Sequence, residues 1–204
     1  MKKILCHLII VFILLLNANP VHAQAWERNS RVLSLGFGVS KFFHIDDYYY
    51  YRHDGDFNRW YYPSTGQINF QGEFGIHKYV GLGFTTGVGG RTRGEKKGKR
   101  DELYYKYSGE INVPIGMIAN FHFYQLIADN SSKNIHSDKL DIYAGANVGS
   151  GVAFTYYENS SRIVPLAFGG LHVGVRYYFS EKVGVNGEFG WGKSVVNVGF
   201  SFKL

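Results

Sequence analysis

The chain of 204 residues has the size of one domain, and its formal net charge is +6, with 17% aromatic residues. A single cysteine, Cys6, excludes a disulfide framework. After residue 23 no apolar run reaches the roughly 20 residues of a membrane-spanning helix, which excludes a helical membrane protein.

The first 23 residues have the pattern of a secretory signal peptide. Lys2 and Lys3 precede an apolar run, and Val21-His22-Ala23 supplies the small-residue cleavage pattern. We expect cleavage after Ala23, which leaves residues 24–204 as a single domain. The alternative is an uncleaved membrane anchor, for which the run is short. Export disfavours nucleic acid as a partner and favours anionic lipid or sugar phosphate.

Alternation of apolar and small or polar residues with a period of two predicts eight strands. In the sixth strand, Leu171 and Val173 alternate with His172 and Gly174. The predicted strands are 31–41, 67–77, 79–90, 103–124, 139–157, 163–180, 183–191 and 195–203.

The predicted connections differ in length, as in outer-membrane barrels with long outer loops and short periplasmic turns. Long connections cover 42–66 and 91–102, whereas the turns at Lys78 and at 181–182 are tight. An even number of strands returns both termini to the periplasm. The connection 125–138 is an exception, because it is a long segment on the predicted periplasmic side.

Alternation does not decide which face points inward. A soluble barrel of the lipocalin type would enclose the apolar face, whereas a membrane barrel turns it toward lipid. We favour lipid, because an eight-stranded barrel is just wide enough to be filled by side chains and could not enclose so many bulky ones. Tyrosine and phenylalanine also concentrate near the strand ends, as in interfacial girdles, although ordinary strand aromatics would give the same pattern.

The polar face carries charged side chains that could pair inside the barrel. A three-residue turn at 181–183 would place Arg176 opposite Glu188 on the next strand. We also expect His172 and His122 to point inward as hydrogen-bonded filling. The predicted polar network of the lumen comprises Glu73, Glu110, His172, Arg176 and Glu188.

Two segments carry a family resemblance. The segment "GVRYYFSEKVGVNGEFGWG" and the terminal "VNVGFSFKL" resemble the small bacterial outer-membrane β-barrels of the OmpA-domain and OmpX type. The last residue is Leu204, where the family usually ends in phenylalanine. The resemblance implies an all-β, eight-stranded antiparallel transmembrane barrel in the outer membrane, inserted by the barrel assembly machinery, and leaves its activity open.

The outer connections hold the candidate contact residues. Aromatic side chains in 42–66 suit a sugar, a protein or lipid A, and the cationic segment 91–100 suits lipopolysaccharide phosphates. The alternatives are packing over the barrel mouth for the aromatics and a solvated hairpin tip for the cations. The candidates are Tyr49, Tyr50, Trp60, Arg91, Arg93, Lys96 and Lys97.

No catalytic, cofactor or metal site is predicted. Asp54, Asp56 and Asn58 begin a calcium-loop pattern, but Arg59 and Thr65 stand where glycine and glutamate are required. The sequence favours a non-enzymatic barrel whose outer loops bind surface partners or lipopolysaccharide or which supports the envelope. The alternatives are a lipid A-modifying enzyme and an accessory barrel of a secretion or assembly machine, whose partner would meet 125–138.

Overall fold

The computed structural model describes residues 25–39, 43–44, 60–61, 64–97, 104–131, 136–157 and 160–204. Within these residues the chain forms ten strands and one short helix, and no helix is long and apolar enough to cross a membrane. The predicted signal peptide, 1–23, lies outside the described residues. The elements are β1 (Arg31–Val39), β2 (Phe43–His44), β3 (Trp60–Tyr61), β4 (Ser64–His77), β5 (Val80–Lys97), β6 (Tyr104–Phe121), α1 (Phe123–Asp129), β7 (Leu140–Tyr157), β8 (Ser160–Tyr178), β9 (Val183–Gly190) and β10 (Val196–Lys203).

Eight of these strands close into a ring, which confirms the predicted eight-stranded antiparallel barrel. The order is β8, β7, β6, β5, β4, β1, β10 and β9, and β9 pairs again with β8. The two remaining strands, β2 and β3, are short additions that pair with β8 and β5. We call the end of the barrel that holds Arg31 and Lys203 the base, and the opposite end the top.

The strands are staggered as well as paired. Following the partners around the ring from Val39 leads to His77 on β4, three residues beyond Phe74, the partner of Arg31. The path therefore closes about ten residues before Val39, next to the start of β1, which is the stagger that a tilted, closed sheet requires. The path passes only through outward-facing positions, so the apolar faces of neighbouring strands join into one surface. Its residues are Val39, Val196, Phe189, Val173, Ala144, Phe121 and Val80.

The apolar face points outward. Leu171 has 74% of its surface exposed, whereas Arg176, on the opposite face of the same strand, has 0%. Burying the apolar face is the main driving force of a soluble fold, so the lipocalin-like alternative is wrong for this barrel. Further exposed apolar side chains form the same belt around the ring, among them Leu35, Phe37, Phe70, Phe84, Ile115, Met117, Val148, Val185, Val198 and Phe200.

The β5–β6 hairpin is longer than predicted. The third strand was expected to end at residue 90 and 91–102 to be a loop, but β5 continues to Lys97 and pairs with β6 from Tyr104 onward. The prediction of a long loop was wrong because the strand was recognised only by its apolar alternation, which stops at residue 90. Backbone pairing beyond the lipid needs no apolar face, so "RTRGEKK" extends the ladder with polar side chains.

The base differs from the prediction at the end of the fourth strand. The alternation was expected to continue to residue 124, but β6 ends at Phe121 and α1 occupies Phe123–Asp129. Phe123, Leu126 and Ile127 have the three- and four-residue spacing of a helical face. The connection predicted as a long turn at 125–138 therefore contains most of a short helix.

Pro114 lies on the inner face of β6 and interrupts pairing without shifting the register. The partners of β5 and β6 run continuously except at Gly87 and Val88, which would face Pro114 and Val113. Proline has no backbone N–H to donate. The Pro114 carbonyl oxygen is still bonded to β5, because it accepts from the Thr86 hydroxyl at 2.9 Å.

Candidate functional site

The lower lumen contains a cluster of four charged groups around Arg176. The guanidinium donates from Nη2 to Glu73 and from Nη1 to Oδ2 of Asp141, the latter at 3.2 Å. Asp141 is the cross-strand neighbour of Arg176, whereas β4, which carries Glu73, lies on the opposite side of the ring from β8. The ion pair with Glu73 therefore crosses the whole lumen.

His122 joins the same two carboxylates. Its Nδ1 lies 2.8 Å from Oδ1 of Asp141, and its Nε2 lies 3.0 Å from Oε1 of Glu73. An ionised carboxylate only accepts hydrogen bonds, so both ring nitrogens must donate. His122 is therefore an imidazolium, and the cluster of two carboxylates and two cations is neutral.

Trp26 closes this cluster at the base. Its ring stacks on His122 with centroids 3.5 Å apart and planes inclined by 6°, and Trp26 is fully buried. The segment 25–30 is held by backbone bonds from Ala25 to Ser137 (2.7 Å) and from Asn29 to Gly75 (2.8 Å). The start of the described chain thus enters the barrel and covers the charged groups.

A second cluster lies above the first. Glu188 accepts a hydrogen bond from the Tyr143 hydroxyl at 2.7 Å and one from Nζ of Lys193 at 2.5 Å. Lys193 also donates to the side-chain oxygen of Gln71 on β4, two strands away from β10 around the ring. Lys193 belongs to the turn between β9 and β10, yet only 3% of its surface is exposed. The turn therefore folds into the lumen and seals the second cluster from above.

Neutral side chains connect the two clusters. The Asn120 amide donates to Glu73 at 2.8 Å, which leaves its oxygen to accept from Nε2 of His172 at 2.9 Å. Asn147 donates to Nδ1 of His172 at 3.2 Å and accepts the Lys193 backbone N–H at 2.9 Å. His172 is therefore a neutral imidazole with its proton on Nε2, unlike His122.

Tyr143 contacts both clusters through its ring and its hydroxyl group. The Arg176 guanidinium carbon lies 4.3 Å from the centre of the Tyr143 ring, while the hydroxyl of that ring binds Glu188. The ring lies over its cross-strand partner Gly174. A Cβ at Gly174 would approach Cζ of Tyr143 to 2.3 Å, so this position has room only for glycine.

We predict that Gly174→Ala lowers the free energy of unfolding by about 1–3 kcal/mol, because the added methyl group displaces Tyr143 from Arg176 and Glu188. Gly187→Ala is the matched control on the neighbouring strand, since nothing lies closer than 4.0 Å to its Cβ position. This control is expected to be neutral or to stabilise by about 0.4–1 kcal/mol. Urea unfolding in vesicles measures both, and equal effects would contradict the proposed role of Tyr143.

The structure brings together four of the five predicted network residues and separates the fifth. Glu73, His172, Arg176 and Glu188 belong to the connected clusters. Glu110 lies ten positions before Asn120 on β6, about 30 Å along the strand, and its backbone partners are Arg91 and Thr155. Glu110 is therefore a residue of the upper barrel.

The predicted partnership of Arg176 with Glu188 is wrong. The turn after β8 spans 179–182, and it places Arg176 opposite Asn186 and Glu188 opposite Gly174. Ser180 closes this turn, with its backbone N–H and its hydroxyl both bonded to the Val183 carbonyl. The last paired residues are Tyr178 and Gly184, so five residues lie between the paired strands where three were predicted. The two additional residues move the register by two, so both side chains still face inward but have other partners.

The structure says little of the candidate loop contacts. Tyr49 and Tyr50 lie outside the described residues, as do Asp54, Asp56 and Asn58. Only the backbone is described for the others: Trp60 pairs with Glu95 at the top, and β5 carries the basic residues. Those basic residues are Arg91, Arg93, Lys96 and Lys97.

The predicted network omitted several of its members. Alternation along β7 placed Asp141 inward, and the same parity applies to Tyr143, so the sequence carried a signal for both. Lys193 and Trp26 lie in irregular segments, where no periodicity indicates direction. Among the described residues, no group of three or more His, Cys, Asp and Glu side chains is arranged to hold a metal ion.

Comparison with known proteins supports the fold. No protein-family model and no curated protein matches the chain. The crystal structure of the outer membrane protein OprG from Pseudomonas aeruginosa matches 91% of this chain and 99% of its own, with a TM-score of 0.60 and 10% identity. The N-terminal β-barrel domain of OprF from the same organism covers 87% of this chain and 98% of its own (TM-score 0.49, 10% identity), and Ail of Yersinia pestis covers 86% and 95% (TM-score 0.43, 11% identity).

The fold is therefore that of a small outer-membrane β-barrel. The closed ring, its apolar exterior and its charged, polar interior define this class, and the likeness to OprG agrees with it. An identity of 10% shows the fold alone. Activity and partners must be argued from the chain itself.

Proposed function

We propose that the chain is a non-enzymatic outer-membrane barrel with a closed lumen, whose outer hairpins contact lipopolysaccharide, and whose termini are periplasmic. The observation that carries this proposal is the neutral network that joins opposite walls of the barrel through Arg176 and Glu73, and that Lys193 extends to Gln71 on β4. Such a network fixes the barrel cross-section and fills it. A support and contact function at the cell surface suits a rigid barrel without an open pore.

The charged groups are poorly placed for chemistry on a lipid. An enzyme that modifies lipid A needs acid, base or nucleophilic groups within reach of a substrate that enters from the bilayer. Glu73, His122, Asp141 and Glu188 are at most 4% exposed, and their hydrogen bonds are made with one another or with neighbouring lumen residues. We therefore favour a structural role for this network over lipid A modification.

The unequal height of the strands supports contacts at the top. The strands β5, β6 and β7 each have 18 residues and β8 has 19, whereas β9 and β10 have 8 and β1 has 9. A transmembrane strand needs about 9–11 residues. The taller wall therefore rises beyond the lipid, and it lifts the cationic β5–β6 hairpin to where lipopolysaccharide phosphates would lie.

We expect the double replacement Lys96→Glu and Lys97→Glu to weaken binding to lipopolysaccharide vesicles and to make that binding less dependent on salt, because salt screens the attraction between lysine and phosphate charges. Co-sedimentation with lipopolysaccharide at low and high salt measures this. Lys182→Glu, in the turn at the base, is the control and should bind like the unchanged chain. Equal binding by all three would remove the lipopolysaccharide contact at this hairpin.

The closed lumen and the absence of catalysis are tested separately. In planar bilayers the purified chain should show no steady, porin-like conductance. Mass spectrometry should show the same lipid A composition in cells with and without the protein. An altered acyl or phosphate pattern that depends on the chain would replace the proposal with the enzymatic alternative.

A further inference from the structure

The helix α1 at the base exposes a stripe of apolar side chains. Leu126 is 37% exposed and Ile127 is 53% exposed, and Phe123 lies on the same face at helical spacing. The helix contains no acidic residue in its first turn and no basic residue in its last turn. Large apolar side chains grouped on the outer face of a short helix mark a contact surface.

The opposite face of α1 is fixed to the barrel. Gln125 is buried, and within the helix its amide donates to Oδ1 of Asp129 at 2.9 Å. Lys78, in the turn between β4 and β5, forms an ion pair with Oδ2 of Asp129 at 2.8 Å. Partial burial favours the neutral acid, but the bonds from Lys78 and Tyr79 outweigh it and hold the pKa of Asp129 below its usual value. The burial of Gln125 and the ion pair with Lys78 orient the helix, which leaves Leu126 and Ile127 on its exposed side.

The exposed stripe adjoins the apolar belt of the barrel. Phe121, the last residue of β6, is exposed on the belt, and α1 begins two residues later. Seven helical residues rise about 10 Å, so the whole stripe lies within that distance of the helix start beside the belt. Tyr177 and Phe179 mark the edge of the belt at the same end of β8.

We propose that α1 is an interfacial anchor whose stripe of Phe123, Leu126 and Ile127 inserts into the acyl boundary of the periplasmic leaflet. The inference rests on the proposed orientation, with the base on the periplasmic side. Lipid is favoured over a protein partner because a stable protein interface buries about 800 Å² on each side, far more than three side chains offer. An amphipathic helix needs no such minimum, since each buried apolar side chain adds to its affinity for the membrane.

Site-directed nitroxide labelling tests the anchor in a chain that carries Cys6→Ala and has no other cysteine. Single labels are placed at Ile127→Cys, at Val173→Cys as the reference within the belt, and at Lys182→Cys as the aqueous reference. The folded chains are reconstituted in phosphatidylcholine vesicles. Collision rates with oxygen, which concentrates in lipid, and with a water-soluble nickel chelate give the depth of each label.

We expect the ratio of the oxygen collision rate to the nickel collision rate to be several-fold higher for the label at 127 than for the label at 182. The ratio at 127 should be close to the ratio at 173. Nickel access at 127 equal to that at 182, with 173 protected, would overturn the anchor while leaving the barrel in the membrane. Low access to both reagents at 127 would also overturn it, because it would indicate a protein contact. Free nickel access at 173 would overturn the orientation of the barrel and the anchor with it.

Discussion

Replacing Arg176 with methionine is expected to lower the free energy of unfolding by about 3–5 kcal/mol, the usual effect of removing one partner from a buried ionic group. Methionine fills a similar volume but leaves Glu73 and Asp141 with only His122 between them. The cluster then carries one uncompensated negative charge where no water can solvate it. Urea unfolding in vesicles, followed by tryptophan fluorescence and by heat-dependent gel mobility, measures the loss.

The matched control is Arg162→Met, at the same parity on the same strand but exposed at the top of the barrel. Its effect is expected to stay within about 0.5 kcal/mol, as for most surface replacements. Adding Glu73→Gln to Arg176→Met should recover part of the loss, because it removes the uncompensated charge. If Arg176→Met were no worse than the control, the lumen would not be a sealed ionic network.

The sequence predicted the strands and their faces because lipid and lumen make opposite demands on alternate residues. Leu171 and Val173 share one face of β8, and His172 and Gly174 share the other. Each strand therefore carried enough information to define its two faces without reference to its neighbours. The eight strands follow from this local signal, whereas the inward direction of Glu73 and Arg176 needed the additional argument that a narrow lumen could not enclose the bulky face.

Partners across the lumen could not be predicted in the same way. A register change of two residues keeps every side chain on its face, so alternation cannot distinguish Glu188 from Asn186 as the neighbour of Arg176. The choice depends on the conformation of the turn after β8. The pairing of Arg176 with Glu73 depends further on ring closure, which brings β4 opposite β8 and is a property of the whole barrel.

The remaining members of the site lie in irregular segments, where alternation predicts no direction for a side chain. Trp26 precedes the first strand and Lys193 belongs to a turn, and both send their side chains into the lumen. Polar pairing above the membrane and the helix at the base were missed for a related reason. Alternation arises because one face of a strand contacts lipid and the other faces the lumen, so it predicts no structure where the chain lies outside the bilayer.

Replacing Leu171 with arginine is expected to lower the free energy of unfolding by about 2–4 kcal/mol and to reduce insertion, because the residue faces the middle of the bilayer. Leu171 lies six positions before Tyr177 on β8, about 20 Å along the strand. With a tilt of about 40°, this is roughly 15 Å in height, half of the hydrocarbon thickness. Its 74% exposure means that little packing is lost, so the effect measures lipid contact.

Ser161→Arg is the control, because it places arginine on the same strand outside the middle of the bilayer. Ser161 shares the outward face of β8 with Leu171 but pairs with Tyr156 near the top, at the level of the exposed aromatic residues. Arginine near an interface costs about 0–1 kcal/mol. A soluble surface would accept arginine equally at both positions, whereas a bilayer penalises only the deeper one. Equal stability and equal insertion of the two variants would therefore mean that the exposed apolar belt does not face lipid.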